Sequence, residues 1–159
     1  MARQGEQGNL SSTGRNGPGR AIKIALCAAA GTLTLASIAL ANPQGGEVVS
    51  GDVAITTPNT TTTQVTQSSE TAIINWQSFN INANESTVFV QPNASSIALN
   101  RIFDANPTVI AGLLTANGRL VLINRNGMMF ESGARIDTAG LIATTADIGD
   151  EDFLANRFH

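Results

Sequence analysis

The sequence predicts an all-β fold behind an export signal. Three observations carry that prediction. Short β-branched and apolar runs fill the chain after residue 42. Asn-Gly, Pro-Asn and Ser-Gly pairs separate them. Aromatic residues make up 4% of the chain and charged residues 13%, with no tyrosine at all.

The N-terminus has the order of a cleavable signal. Arg3, Arg15, Arg20 and Lys23 outweigh Glu6, and residues 24–40 carry no charge. Ala39-Leu40-Ala41 is an A-x-A site, which places cleavage before Asn42. The rival is an uncleaved membrane anchor. Its apolar run falls short of the ~20 residues a spanning helix needs, and Gly31, Thr32, Thr34 and Ser37 dilute it. Cys27, the only cysteine, lies inside this run. Residues 24–26 (Ile-Ala-Leu) lack the small residue expected just before a lipidated cysteine, so it reads as a small side chain in a discarded segment. The mature part then has no cysteine, and packing with backbone hydrogen bonds must hold it instead of disulfides.

The mature part is acidic. Arg101, Arg119, Arg125, Arg135 and Arg157 face eleven carboxylates, and no lysine follows Lys23, for a net charge of −6. Cationic side chains dominate nucleic-acid affinity, so a nucleic-acid partner is not expected. Asp147, Asp150, Glu151 and Asp152 crowd together and read as a solvated surface turn.

Element by element, Gly45, Gly46 and Gly51 mark an entry segment before Val53 and Ile55 alternate. Residues 56–63 are Thr-rich and fit a pleated surface, with a turn at Pro58-Asn59; low-complexity disorder is the rival there. Ile74 and Trp76 share one side of an extended chain, whereas Phe79 and Ile81 have the opposite parity, which requires a bend near Gln77-Ser78. Val88 and Val90 form a strand ended by Pro92-Asn93. Ile97 and Leu99 form the next, with a parity slip before Ile102. Val109, Ala111 and Leu113 follow Pro107. Ala116-Asn117-Gly118 turns into Leu120-Val121-Leu122-Ile123, and Asn126-Gly127 turns into Met128-Met129-Phe130. Ser132-Gly133 and Ala139-Gly140 precede Leu141-Ile142-Ala143. A short helix starts near Asp150, capped by that residue, with Leu154 and Phe158 on one side. Repeated parity slips suit a coiled solenoid that bends at every corner better than a flat sheet. At roughly 20 or more residues per coil, residues 42–159 supply about five coils. No clean internal repeat is visible, and a β-sandwich of Asn-Gly hairpins is the structural rival.

Several segments, in order, resemble the N-terminal secretion domain of filamentous haemagglutinin-like exoproteins, the cargo of two-partner secretion. They are residues 72–81 (AIINWQSFNI), 88–92 (VFVQP), 99–102 (LNRI), 110–118 (IAGLLTANG), 120–130 (LVLINRNGMMF) and 140–148 (GLIATTADI). Together they span most of 43–157. The resemblance implies a right-handed parallel β-helix with an N-terminal cap. It also implies a partner, an outer-membrane β-barrel transporter with periplasmic docking domains, reached after Sec export and signal peptidase cleavage at Ala39 and Ala41. The protein would be secreted or displayed at the cell surface through the periplasm of a double-membrane bacterium, where host-cell or cell-surface receptors become accessible to such exoproteins. Partner recognition would fall on the turn Asn124, Arg125, Asn126 and Gly127, with Asn75, Trp76, Asn100, Arg101, Asn117 and Gly118 as secondary motif positions. The family usually has proline where Arg125 stands, so the turn loses a residue with preset φ. The local reading of these asparagines is turn and ladder hydrogen bonding, and Trp76 reads as core.

No enzyme is expected. The only histidine is His159, and no cysteine remains after cleavage, which leaves no Ser-His or Cys-His pair and no thiolate zinc site. No cofactor or metal is expected; Asp147, Asp150 and Asp152 read as a loop rather than a calcium site. Two other readings stand beside secretion targeting: a β-helix carbohydrate-active enzyme, which needs acids and basic groups on one face, and a membrane-anchored structural protein, which needs the first segment to stay uncleaved. Residues 157–159 bring no recognisable terminal cap, so the native protein is expected to continue.

Overall fold

The structure, a computed structural model, describes residues 42–157. The expected signal segment and cleavage site, Ala39 and Ala41, lie outside the described residues. Ten strands and one short helix follow in chain order: β1 Glu47–Ser50, β2 Val53–Asn59, β3 Thr62–Gln67, β4 Thr71–Trp76, β5 Ser86–Val90, β6 Ile97–Ile102, β7 Thr108–Ile110, β8 Leu113–Asn124, β9 Met128–Phe130, β10 Arg135–Thr144 and α1 Asp150–Leu154.

The strands wind into a three-sided parallel β-solenoid of about four turns. On the first side β3, β5, the start of β8 and the start of β10 stack in parallel, with Thr62, Ser86, Leu113 and Arg135 at one register position. On the second side β4, β6, the end of β8 and the end of β10 stack likewise, through Ile73, Leu99, Val121 and Ile142. The third side is thinner: β7 pairs with β9, and Ile81 bridges to Ile110. This is the fold class that the sequence predicts, with four coils in place of five.

The first coil does not present bare edges. β1 pairs antiparallel with β4, and β2 pairs antiparallel with β3. These two strands form the N-terminal cap and satisfy backbone groups that would otherwise template a foreign strand. The Thr-rich stretch is thus an ordered hairpin rather than disordered sequence. Its turn sits at Thr60-Thr61, not at Pro58-Asn59. Pro58 lies inside β2, an outer strand, where a missing N–H costs the ladder nothing.

Two expectations about these strands fail. Asn117-Gly118 is not a hairpin turn; β8 passes through it and changes side there. In a parallel coil a corner needs a bend of the chain, not a reversal. Gly118 is required because a Cβ would sit 2.5 Å from the Gln91 Oε1 and 2.8 Å from the Ser96 carbonyl oxygen. The parity slip expected before Ile102 is also absent: β6 is continuous, with Ala98, Asn100 and Ile102 buried along one side. Val109 to Leu113 is likewise split, by Gly112, between β7 and β8.

The interior of the coils holds Ile74, Trp76, Phe79, Ile81, Phe89, Ile110, Leu114, Leu120 and Leu122. Trp76 is 1% exposed and meets Phe79 edge-on at 5.4 Å, in the geometry aromatic quadrupoles favour. A second apolar cluster lies on the outer surface of the second side. There Ile73, Leu99, Val121 and Ile123 are covered by Ile148 and Phe153, from the segment 145–157 that folds back as a strap. The strap's helix does begin at Asp150, but Gly149 is the N-cap, and no side chain caps it. Phe153, not Leu154, is the buried residue; Phe158 lies outside the described residues.

Candidate functional site

The sequence places its main candidate at the end of β8, and the structure builds a tight turn there. The Gly127 N–H donates to the Asn124 carbonyl at 3.0 Å, and Gly127 has φ +99°. Open space surrounds the Gly127 Cβ position, so its requirement for glycine is conformational and not steric.

Asn124 is fully buried and builds the corner with its side chain. Its Oδ1 accepts from the Asn126 N–H at 2.8 Å. Its Nδ2 donates to the Thr108 Oγ1 at 2.9 Å and to the Asn106 carbonyl at 3.1 Å. Asn126 donates through Nδ2 to the Asp104 carbonyl at 2.8 Å. The turn of one coil is therefore pinned on the loop of the coil before it. Such local side-chain bonding is why asparagine suits these positions. Arg125 points out, with a side chain 76% exposed, and meets Asp147 at 3.0 Å.

The secondary positions fall into two roles. Asn100 lies inside the solenoid, where its Oδ1 accepts from the Trp76 Nε1–H at 2.9 Å. Its Nδ2 is 3.3 Å from the Ala98 carbonyl. Asn117 and Gly118 form the corner of β8. The Asn117 amide exchanges two bonds with the Gln91 backbone, at 2.7 and 2.6 Å, and so imitates one rung of the ladder. Behind that corner, buried Gln91 donates to the Gln67 Oε1 at 3.1 Å. These side chains hold successive coils together.

Arg101 is the residue whose weight the sequence understates. It points outward from β6 yet its side chain is only 12% exposed. Its Nε lies 2.8 Å from Asp147, and one terminal nitrogen donates to Asp150 at 2.8 Å and to the Ile148 carbonyl at 2.7 Å. Its other terminal nitrogen reaches the Asn75 Oδ1 at 3.5 Å. Burial works to lower the Arg101 pKa, but the two carboxylates outweigh it and hold the guanidinium above its ordinary value. Burial likewise works to raise the Asp147 carboxyl; bonds from Arg101, Arg125 and the Ile148 amide outweigh it and hold the pKa below the usual value. The acidic run is thus no freely solvated turn. Asp147 and Asp150 engage Arg101, and Asp152 pairs with Arg157 at 2.8 Å. A spacing signal for this existed only in hindsight, because Arg101 and Asp147 lie 46 residues apart.

Arg101, Phe103, Asp104, Arg125, Asn126 and Asp147, with Ile102 and Ile123, line a shallow cleft of about 140 Å³ beside the turn. Phe103 is 65% exposed at its rim. The cleft offers two guanidinium groups, two carboxylates and an aromatic face.

A capped parallel β-helix with an asparagine-built corner defines a class of exported solenoid domains, and the comparisons with known proteins name it. The family model described as the TPS secretion domain matches residues 39–159. The chain belongs to that family. It is 43% identical over 106 residues to a heme/hemopexin-binding protein of Haemophilus influenzae strain Rd, covering 67% of this chain and 12% of that protein. A second Haemophilus influenzae protein of the same name is 41% identical over the same share of this chain, and 11% of its own length is covered. Among solved structures, the HMW1 secretion domain from Haemophilus influenzae superposes with a TM-score of 0.68 at 36% identity, over 72% of this chain and 30% of that one. The chain spans about an eighth of the length of the curated relatives it matches.

Proposed function

We propose that residues 42–159 are the targeting domain of a large exoprotein, released from a signal peptide at Ala41-Asn42. An outer-membrane β-barrel with periplasmic docking domains recognises it and passes the chain to the cell surface. The family supports a transport role, and the short covered share of the relatives supports a large parent protein. Sec export and signal peptidase supply the domain to the periplasm; receptors for the parent protein lie with sequence beyond this domain. The domain acts by being bound, not by catalysis.

The observation that carries the recognition site is the division of labour at Asn124–Gly127. Asn124 spends its whole amide inside the protein, while Arg125 and the cleft beside it face solvent. The turn is therefore rigidly presented, with its exposed side offered to the transporter. The test is the secreted fraction in cells that co-express the cognate transporter. Gly127→Val strains the turn by about 1–3 kcal/mol and is expected to leave processed protein in the periplasm. The double variant Asn124→Ala with Asn126→Ala is expected to do the same. Secretion of both at the wild-type level makes the turn a structural detail and removes it from recognition. N-terminal sequencing of the exported form checks the boundary: Asn42 is expected, and intact Met1 in a membrane pellet overturns it.

A further inference from the structure

We propose that the strap of residues 145–157 is a charge-held latch that opens in acid, and that its closed state fixes the Asn124–Gly127 turn through Arg125. The geometry rests on one carboxylate shared between two guanidinium groups. Asp147 places Oδ1 2.8 Å from Arg101 and Oδ2 3.0 Å from Arg125. Arg101 belongs to the solenoid wall, and Arg125 to the turn. A strap residue thereby joins them. Below this clamp Phe153 and Ile148 lie on the outward row of Ile73, Leu99, Val121 and Ile123.

Two features make the strap separable from the coils. Its helix is five residues long and lacks a side-chain N-cap, and helices so short have marginal stability of their own. Beyond the apolar row its attachment is the set of ion pairs and the Arg101 bond to the Ile148 carbonyl, and the row itself lies on the outer surface of β4, β6 and β8, whose interior ladder stands without it. The clamp also gives this chain what its turn lacks. A proline would fix φ at position 125; here an ion pair restrains that residue from outside.

The charged groups at the clamp are Arg101 from β6, Asp104 from the following loop, Arg125 from the turn, and Asp150 on the strap. Farther along the strap are Glu151 and the Asp152–Arg157 pair, and Arg119 lines the groove beside Asn156. Asp147 has its pKa held below the usual carboxylate value of 3.8. Its contribution to closure is therefore complete above that value and disappears as pH falls through the lowered folded value.

Amide hydrogen exchange on the purified chain tests the latch, read at Phe153 and Ala155 for the strap, at Asn126 and Gly127 for the turn, and at Leu99 and Val121 for the wall. At neutral pH Asp147→Asn removes the carboxylate shared by Arg101 and Arg125 and leaves the strap only the Arg101 bonds to Asp150 and the Ile148 carbonyl; strap and turn amides are expected to exchange about tenfold faster or more while the wall amides keep their wild-type rates. Arg125→Ala is expected to speed the turn amides alone, because Arg101 still holds the strap. In wild type, acidification below about pH 4 is expected to free the strap before the wall. Three results overturn the proposal: strap amides unchanged in Asp147→Asn, turn amides unchanged in Arg125→Ala, or a strap that opens in acid only together with the wall.

Discussion

Replacing Asn124 by alanine is the most informative single perturbation of this domain. Asn124 is completely buried and makes three side-chain hydrogen bonds, at 2.8, 2.9 and 3.1 Å. Truncation leaves the Thr108 hydroxyl, itself buried, and the Asn126 amide without these partners. A buried group left unsatisfied costs about 1–3 kcal/mol, and two such groups place the loss at about 2–4 kcal/mol once partial relaxation toward solvent is allowed at the exposed side of the turn. Against a domain stability of about 5–15 kcal/mol, the fold survives but its urea midpoint falls well below wild type. Asn126→Ala is the internal control. It removes one bond to the Asp104 carbonyl at an exposed position, for about 0.5–1.5 kcal/mol. Equilibrium urea unfolding followed by Trp76 fluorescence reads both variants, since the single tryptophan reports on the buried interior. Equal losses in the two variants, or a loss below about 1 kcal/mol for Asn124→Ala, refute the assignment of Asn124 as the corner's builder.

Other substitutions probe separate features. Trp76→Phe keeps an aromatic ring in the core but leaves the Asn100 Oδ1 without its 2.9 Å donor; a loss of about 1–3 kcal/mol is expected in chemical denaturation, and a neutral variant would show that the bond carries no weight. Gly118→Ala drives a methyl against Gln91 and the Ser96 carbonyl, so a lowered melting temperature is expected in calorimetry, by a cost of about 1–3 kcal/mol from overpacking. Asn117→Ala breaks the reciprocal pair with the Gln91 backbone; faster exchange of the Gln91 amide, with the second-side strands unaffected, checks it. For Asp147 the folded pKa is depressed, so stability lost on acidification should be smaller in Asp147→Asn than in wild type, and equal acid sensitivity of the two counts against the Arg101 clamp.

The solenoid was legible because local signals and fold agree along most of the chain. Gly127 illustrates this: an Asn-Gly pair after an apolar strand demands positive φ, and that angle is present. The parity slip expected before Ile102 has its origin in the strands themselves. Alternation marks a strand with one buried face, whereas β4, β6 and β8 carry apolar residues on both. Ile73, Leu99 and Val121 point away from the interior and are buried all the same, under Phe153. A strand covered on both faces loses its alternation, and an apparent parity slip results. The strap itself was out of reach, because its anchor joins Arg101 to residues more than forty positions later, and nothing in the local composition of an acidic stretch distinguishes a docked segment from a solvated one. Asparagine at the turn positions points to local backbone bonding, but only the structure separates Asn124, whose amide is used up internally, from Arg125, whose side chain reaches solvent.

The doubly covered strands have a consequence before folding. Residues 72–74 and 120–123 are uncharged, rich in β-branched or aliphatic side chains, and free of proline. In the native coil both of their faces are hidden. In an unfolded chain both faces are bare at once, and such segments are the ones that stack into intermolecular cross-β contacts. Arg119 and Arg125 flank one segment and Glu70 precedes the other, which places charges at their borders as gatekeepers against aggregation. Arg125, which in the folded coil pairs with Asp147, thus has a second place in the unfolded chain, as one of the charges that border an apolar segment.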